Sequence, residues 1–136
     1  MPRTGGSPVI VKRLLFLEAL AGLAAFDLLF LGRDFAKLHK FVQNWKVNRS
    51  LSPPTDVIER ICRAVNFACV CYPKRALCLQ RSAVTTCLLR SYGVPAQMVM
   101  GAQRLPFKAH AWTEVNGRAI NERRDVQNIY GVWERC

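Results

Sequence analysis

Apolar positions crowd the first third of the chain. From Leu14 to Leu31 the run is 18 residues long and is interrupted only by Glu18 and Asp27. Those acids are nine residues apart, about half a turn out of phase in a helix, so they fall on opposite faces. The pattern predicts helix over residues 9–42. A helix apolar nearly all round is buried in a core, crosses a membrane or docks on a partner. The length would allow a membrane span, but each acid at mid-bilayer would cost roughly 2.5–3.5 kcal/mol. Docking, on the rest of the domain or on another protein, is therefore the expectation. Asp34, Lys37, His39 and Lys40 make the second half amphipathic, with His39 on the solvated side.

Residues 43–54 carry turn chemistry, with Ser52 as a candidate N-cap and Pro53 at the first helical position. A second helix is predicted over about 53–70. Its apolar face is Val57, Ile58, Ile61, Cys62, Val65 and Cys69, and Tyr72-Pro73 ends it. A third runs from about 78 to 91, with Ala83, Val84, Cys87 and Leu88 as its apolar face. Arg90 suits the negative end of its dipole, and Gly93 is its C-terminal cap.

The period then changes from 3.6 to 2. Ala96–Ala102 reads as a strand buried on both faces, and Ala109–Val115 alternates cleanly. Asn116-Gly117 marks a hairpin into a return strand, Arg118–Glu122. The tail, Asp125–Cys136, reads as a short helix or loop. The fold class is α+β, with helices packed on a small antiparallel sheet. Two parts are expected: an apolar N-terminal helical segment, 1–44, that docks on a partner, and a domain over 45–136.

Lys and Arg number 20 against 9 Asp and Glu, a net charge of +11. That balance favours acidic partners. Nucleic acid is disfavoured, because the basic residues are spread along the chain with no aromatic residues interleaved as stacking platforms. There are six cysteines, Cys62, Cys69, Cys71, Cys78, Cys87 and Cys136, but no CxxC pair. His39 and His110 lie far from any cysteine pair with ligand spacing, so neither a metal nor a cofactor is expected. No secretory cleavage pattern is visible, which points to a reduced, cytoplasmic protein.

Cys78 opens the third helix. A thiol there feels the positive end of the dipole and the unpaired backbone N–H groups, and Lys74, Arg75 and Arg81 act the same way. His110 lies near the start of an alternating strand. A helix-start cysteine followed by a strand histidine is the order that nucleophilic cysteine chemistry needs. The third member depends on hairpin register. A two-residue turn pairs Val115 with Arg118 and puts Asn121 on the face of His110. A three-residue turn puts Glu122 directly opposite His110. Glu122 is favoured, with Asn121 and Asp125 as alternatives.

Four blocks carry a family resemblance: CLxRS at Cys78–Ser82, LLRxYGVPA at Leu88–Ala96, PFxAHAW at Pro106–Trp112 and ExxG at Glu114–Gly117. In this order they resemble the transglutaminase-like cysteine peptidase domain of bacterial lasso-peptide maturation proteins, over roughly residues 45–136. The resemblance implies a papain-like core with Cys78 and His110 as nucleophile and general base. The family's usual third residue is Asp after Asn, and here Glu122 follows Asn121. The implied activity is removal of the leader from a ribosomally made precursor peptide through a thioester. The implied partners are a separate leader-recognition protein and a lasso cyclase. The competing readings are a transglutaminase-like acyltransferase on the same residues and a non-enzymatic basic binding module.

Overall fold

The computed structural model describes residues 8–29, 35–48, 56–72, 78–103, 108–120 and 130–136, with backbone alone at 8–13, 29, 35–36, 78, 103, 108–109 and 133–134. Four helices come first: α1 (Pro8–Leu29), α2 (Phe35–Asn44), α3 (Val57–Cys71) and α4 (Cys78–Ser91). Four strands follow: β1 (Ala96–Gln103), β2 (Lys108–Val115), β3 (Arg118–Ile120) and β4 (Gly131–Arg135). They form one antiparallel sheet in the order β3-β2-β1-β4. The α+β class read from the sequence is the class observed.

α4 is the central element. It packs on β1 and β2 on one side and on α1 and α3 on the other. It is therefore buried on more than the one face expected. Ser82 through Cys87, Leu89 and Arg90 are all buried, while Leu88 is only half-buried. Its inward polar groups are paired, as burial demands. Thr85 Oγ1 donates to Arg81 O at 2.7 Å, and Thr86 Oγ1 meets Thr113 Oγ1 of β2 at 3.2 Å.

The C-terminus of α4 is closed as its sequence predicts. Gly93 adopts φ +92°, Gly93 N–H donates to Arg90 O and Val94 N–H donates to Leu89 O. This is the Schellman pair of bonds, available to glycine at no steric cost. Arg90 does more than complement a dipole. It is buried, and its guanidinium donates to the carbonyls of Ala96, Val42 and Trp45. It thereby joins the start of β1 to the end of α2.

The N-terminal helices share the core of the rest of the chain. Leu15, Ala19, Leu23 and Phe26 of α1 are buried in one cluster with Ile61, Val65, Val84 and Met98. The stripe of α1 opposite them, Leu14, Leu17, Ala21, Ala25 and Leu28, is exposed. The predicted single helix over 9–42 is two helices; residues 30–34, which include Gly32, lie outside those described. His39 is half-buried rather than on an open face. Among the described residues no helix is long and apolar enough to cross a membrane.

α3 buries Val57, Ile61, Val65 and Ala68, with Ile58, Cys62 and Cys69 half-buried beside them. Tyr72, preceding a proline, is extended (φ −69°, ψ 134°) and ends the helix. The proposed start at Ser52 and Pro53 lies outside the described residues.

The sheet is buried on both faces, as β1 predicted. Met98, Met100, Ala111 and Val115 join the helical core, while Val99 and Trp112 form a second cluster with Ala119, Tyr130 and Val132. The β2–β3 turn has two residues, Asn116 (φ 53°) and Gly117 (φ 77°), with Val115 opposite Arg118. Both positive φ values mark the type I′ turn that Asn-Gly favours. The three-residue alternative, on which the preference for Glu122 rested, is not adopted. The tail also differs from expectation. Gly131–Arg135 is a strand paired with β1, and Cys136 exchanges both backbone hydrogen bonds with Met98.

Candidate active site

α4 begins at Cys78, so the N–H groups of its first turn have no intrahelical acceptor. The chain direction sets where that end lies. α4 leads through a four-residue connection into β1, and β2 runs back along β1, so α4 and β2 point the same way. Thr113 of β2 is tied to α4 at Ser82 O (3.2 Å) and Thr86 Oγ1 (3.2 Å). From that anchor, Cys78 lies one turn back along α4, about 6 Å. His110 lies three residues back along β2, about 10 Å. The helix start and the histidine thus share one end of the helix–sheet layer.

Their faces differ. Ala111, Thr113 and Val115 point toward α4 and the helical core, whereas His110 alternates with them and shares the opposite face with Trp112 and Glu114. On that face His110 stands across from Gly101. Its ring lies 5.3 Å from that of Tyr130 and 6.0 Å from that of Trp112, centroid to centroid. Gly101 leaves room for this wall. A Cβ there would sit 2.9 Å from Gly131 O, 3.0 Å from the Trp112 ring and 3.1 Å from Tyr130 Cβ.

Trp112 is itself held. Its indole N–H donates to Glu114 Oε2 at 2.8 Å, and Arg135 reaches over β1 to Glu114 Oε1 at 3.4 Å. The Glu114 side chain is 1% exposed, so this acid is a buried support for the tryptophan and not a solvated strand charge.

Asn121, Glu122 and Asp125 lie outside the described residues. The other cysteines are placed by burial. Burial pushes the Cys62 thiol up to about 11 and the Cys87 thiol up to about 12, outweighing nearby Arg81 and Arg90. Both are poor nucleophiles at neutral pH. Cys136, unplaced by sequence, is buried in the same cluster as Cys87, and Cys71 is exposed at the end of α3.

The sequence reading missed Tyr130 and the Trp112–Glu114–Arg135 support. The alternation His110, Trp112, Glu114 was a usable signal, since period 2 puts all three on one face. It also missed a polar group beside the start of α4. Tyr72 Oη donates to Asp27 Oδ2 at 3.0 Å, and Gln80 Nε2 donates to Asp27 Oδ1 at 3.4 Å.

A helix that begins at a cysteine and an antiparallel sheet that carries a histidine make an α+β fold. Residues 23–133 match the Transglutaminase-like superfamily, and the chain belongs to that superfamily. A 55-residue stretch is 33% identical to the Microcin J25-processing protein McjB of Escherichia coli. That stretch is 40% of this chain and spans about a quarter (26%) of the relative. No solved structure gives a significant match.

Proposed function

We propose that this chain is a cysteine peptidase that removes the leader from a ribosomally made lasso-peptide precursor. The observation that carries the reading is the placement of the Cys78 helix start and His110 at one end of the α4–β2 layer. Membership of the transglutaminase-like superfamily supports cysteine acyl chemistry there. A relative named for processing microcin J25 supports a peptide substrate.

In this reading His110 takes the Cys78 proton and the sulfur attacks the scissile carbonyl. The backbone N–H of Cys78, at the open helix end, helps hold the oxyanion. The imidazolium returns its proton to the departing nitrogen, which leaves as the free amine of the core peptide. Water then hydrolyses the thioester and releases the leader as a carboxylic acid. Because α4 covers the other sheet face, this chemistry is assigned to the end of the layer that the start of α4 and His110 share. One of Asn121, Glu122 and Asp125 orients the imidazole. The exposed stripe of α1 is the surface assigned to the leader-recognition protein.

The test is incubation with the precursor peptide, with and without the recognition protein, read by mass. Free leader and free core peptide are expected, faster with the recognition protein. An intact precursor in both arms would overturn the reading. Superfamily membership also favours a second reading, acyl transfer to an amine, and an added primary amine separates the two. Leader captured as the amide in place of the acid would establish the transferase.

A further inference from the structure

α1 carries two acids in an otherwise apolar run, and each is taken up by a tyrosine at a different end of α4. Glu18 accepts from Tyr92 Oη, just beyond the C-terminus of α4. Asp27 accepts from Tyr72 Oη and from Gln80 Nε2 in the first turn of α4. A carboxylate on a largely apolar helix is costly without donors, and that cost accounts for both tyrosines. Asp27 also takes Gln80 as a donor, and Gln80 belongs to the first turn of α4. Asp27 joins three segments: α1, the residue that ends α3, and the first turn of α4 two positions after Cys78. Tyr72 and Gln80 flank in sequence the stretch that delivers Cys78.

We propose that Asp27 is a positioning residue for Cys78. Its carboxylate fixes the first turn of α4 against α1 and the end of α3, so that the helix-start N–H groups are ordered around the thiol. The inference rests on Cys78 being the nucleophile. It also assigns α1 a part in the site, beyond its place in the core.

The test is the rate at which iodoacetamide alkylates Cys78 in the full chain at neutral pH, read by mass on the Cys78-containing peptide. Asp27→Ala is expected to slow it on the order of tenfold, because the helix-start N–H groups that favour the thiolate lose their order. Asp27→Asn keeps an acceptor oxygen and is expected to recover part of the rate. In precursor cleavage, Asp27→Ala is expected to lower kcat with KM unchanged. Tyr92→Phe opens the clasp at the far end of the same helix. It is expected to lower the melting temperature while leaving Cys78 alkylation unchanged.

An Asp27→Ala rate equal to or above wild type would overturn the proposal. So would a Tyr92→Phe rate that falls as far, because the effect would then be general loosening. Should Asp27→Ala fail to fold, Tyr72→Phe and Gln80→Met decide by the same readout. The alkylation rate needs no precursor. If it responds to Asp27 while Cys78→Ala still cleaves, Asp27 orders the start of α4 but Cys78 is not the nucleophile, and the catalytic role proposed for Asp27 falls with the reading it rests on.

Discussion

The hydroxyl of Tyr92 lies 2.9 Å and 3.1 Å from the two carboxylate oxygens of Glu18, joining the end of α4 to the middle of α1. Burial and then the neighbouring carboxylate push the phenol up to about 12. A phenol that holds its proton more tightly when folded contributes stability that is complete below its unfolded value of about 10. That contribution is lost as pH rises from about 10 to about 12. Stability should therefore fall over this window, and Tyr92→Phe should flatten the fall while costing about 1–2 kcal/mol at neutral pH. Denaturant melts at a series of pH values check both. An equally steep fall in the variant would contradict the assignment.

Arg90 satisfies three carbonyls at once from inside the protein. Arg90→Met keeps much of the volume and leaves Ala96, Val42 and Trp45 without that donor. A loss of roughly 2–4 kcal/mol in urea unfolding is expected. A loss below about 1 kcal/mol would mean that water takes over these acceptors.

Gly101 faces His110 with no room for a methyl group. Gly101→Ala should cost about 1–3 kcal/mol by overpacking. It should also move the His110 ring resonances in NMR, because the crowded Trp112 and Tyr130 rings form its wall. Unchanged His110 shifts would show that the wall yields elsewhere.

Native-state alkylation should discriminate among the cysteines. Cys62 and Cys87, their thiols pushed up to about 11 and about 12, should remain unmodified at neutral pH while Cys78 reacts. Labelling of Cys87 at a rate matching Cys78 would place the reactive thiol wrongly.

What the sequence disclosed was what short-range chemistry controls. Gly93 closes α4 through bonds reaching back only three and five residues, and Asn116-Gly117 sets its turn within four. β4 was missed because its five residues show no clear alternation and their partner, β1, lies some thirty positions upstream. The face of α4 was drawn too narrowly because its own pattern does not reveal that it is enclosed from both sides. The acids of α1 were correctly set on opposite faces, but the tyrosines that receive them belong to other elements. At the site, the position of Cys78 at a helix start and of His110 on a strand was legible from pattern and order. That α4 covers the sheet face opposite the imidazole was not, since strand parity fixes faces only relative to one another.

The central claim is that the Cys78 sulfur and the His110 imidazole act as one unit. The most direct measurement is the single-turnover rate of precursor cleavage by Cys78→Ala, His110→Ala and the double variant. Each single variant should lose on the order of a thousandfold or more, and the double variant should be no slower than the worse single one. Cleavage by Cys78→Ala near the wild-type rate, or losses that multiply in the double variant, would contradict it.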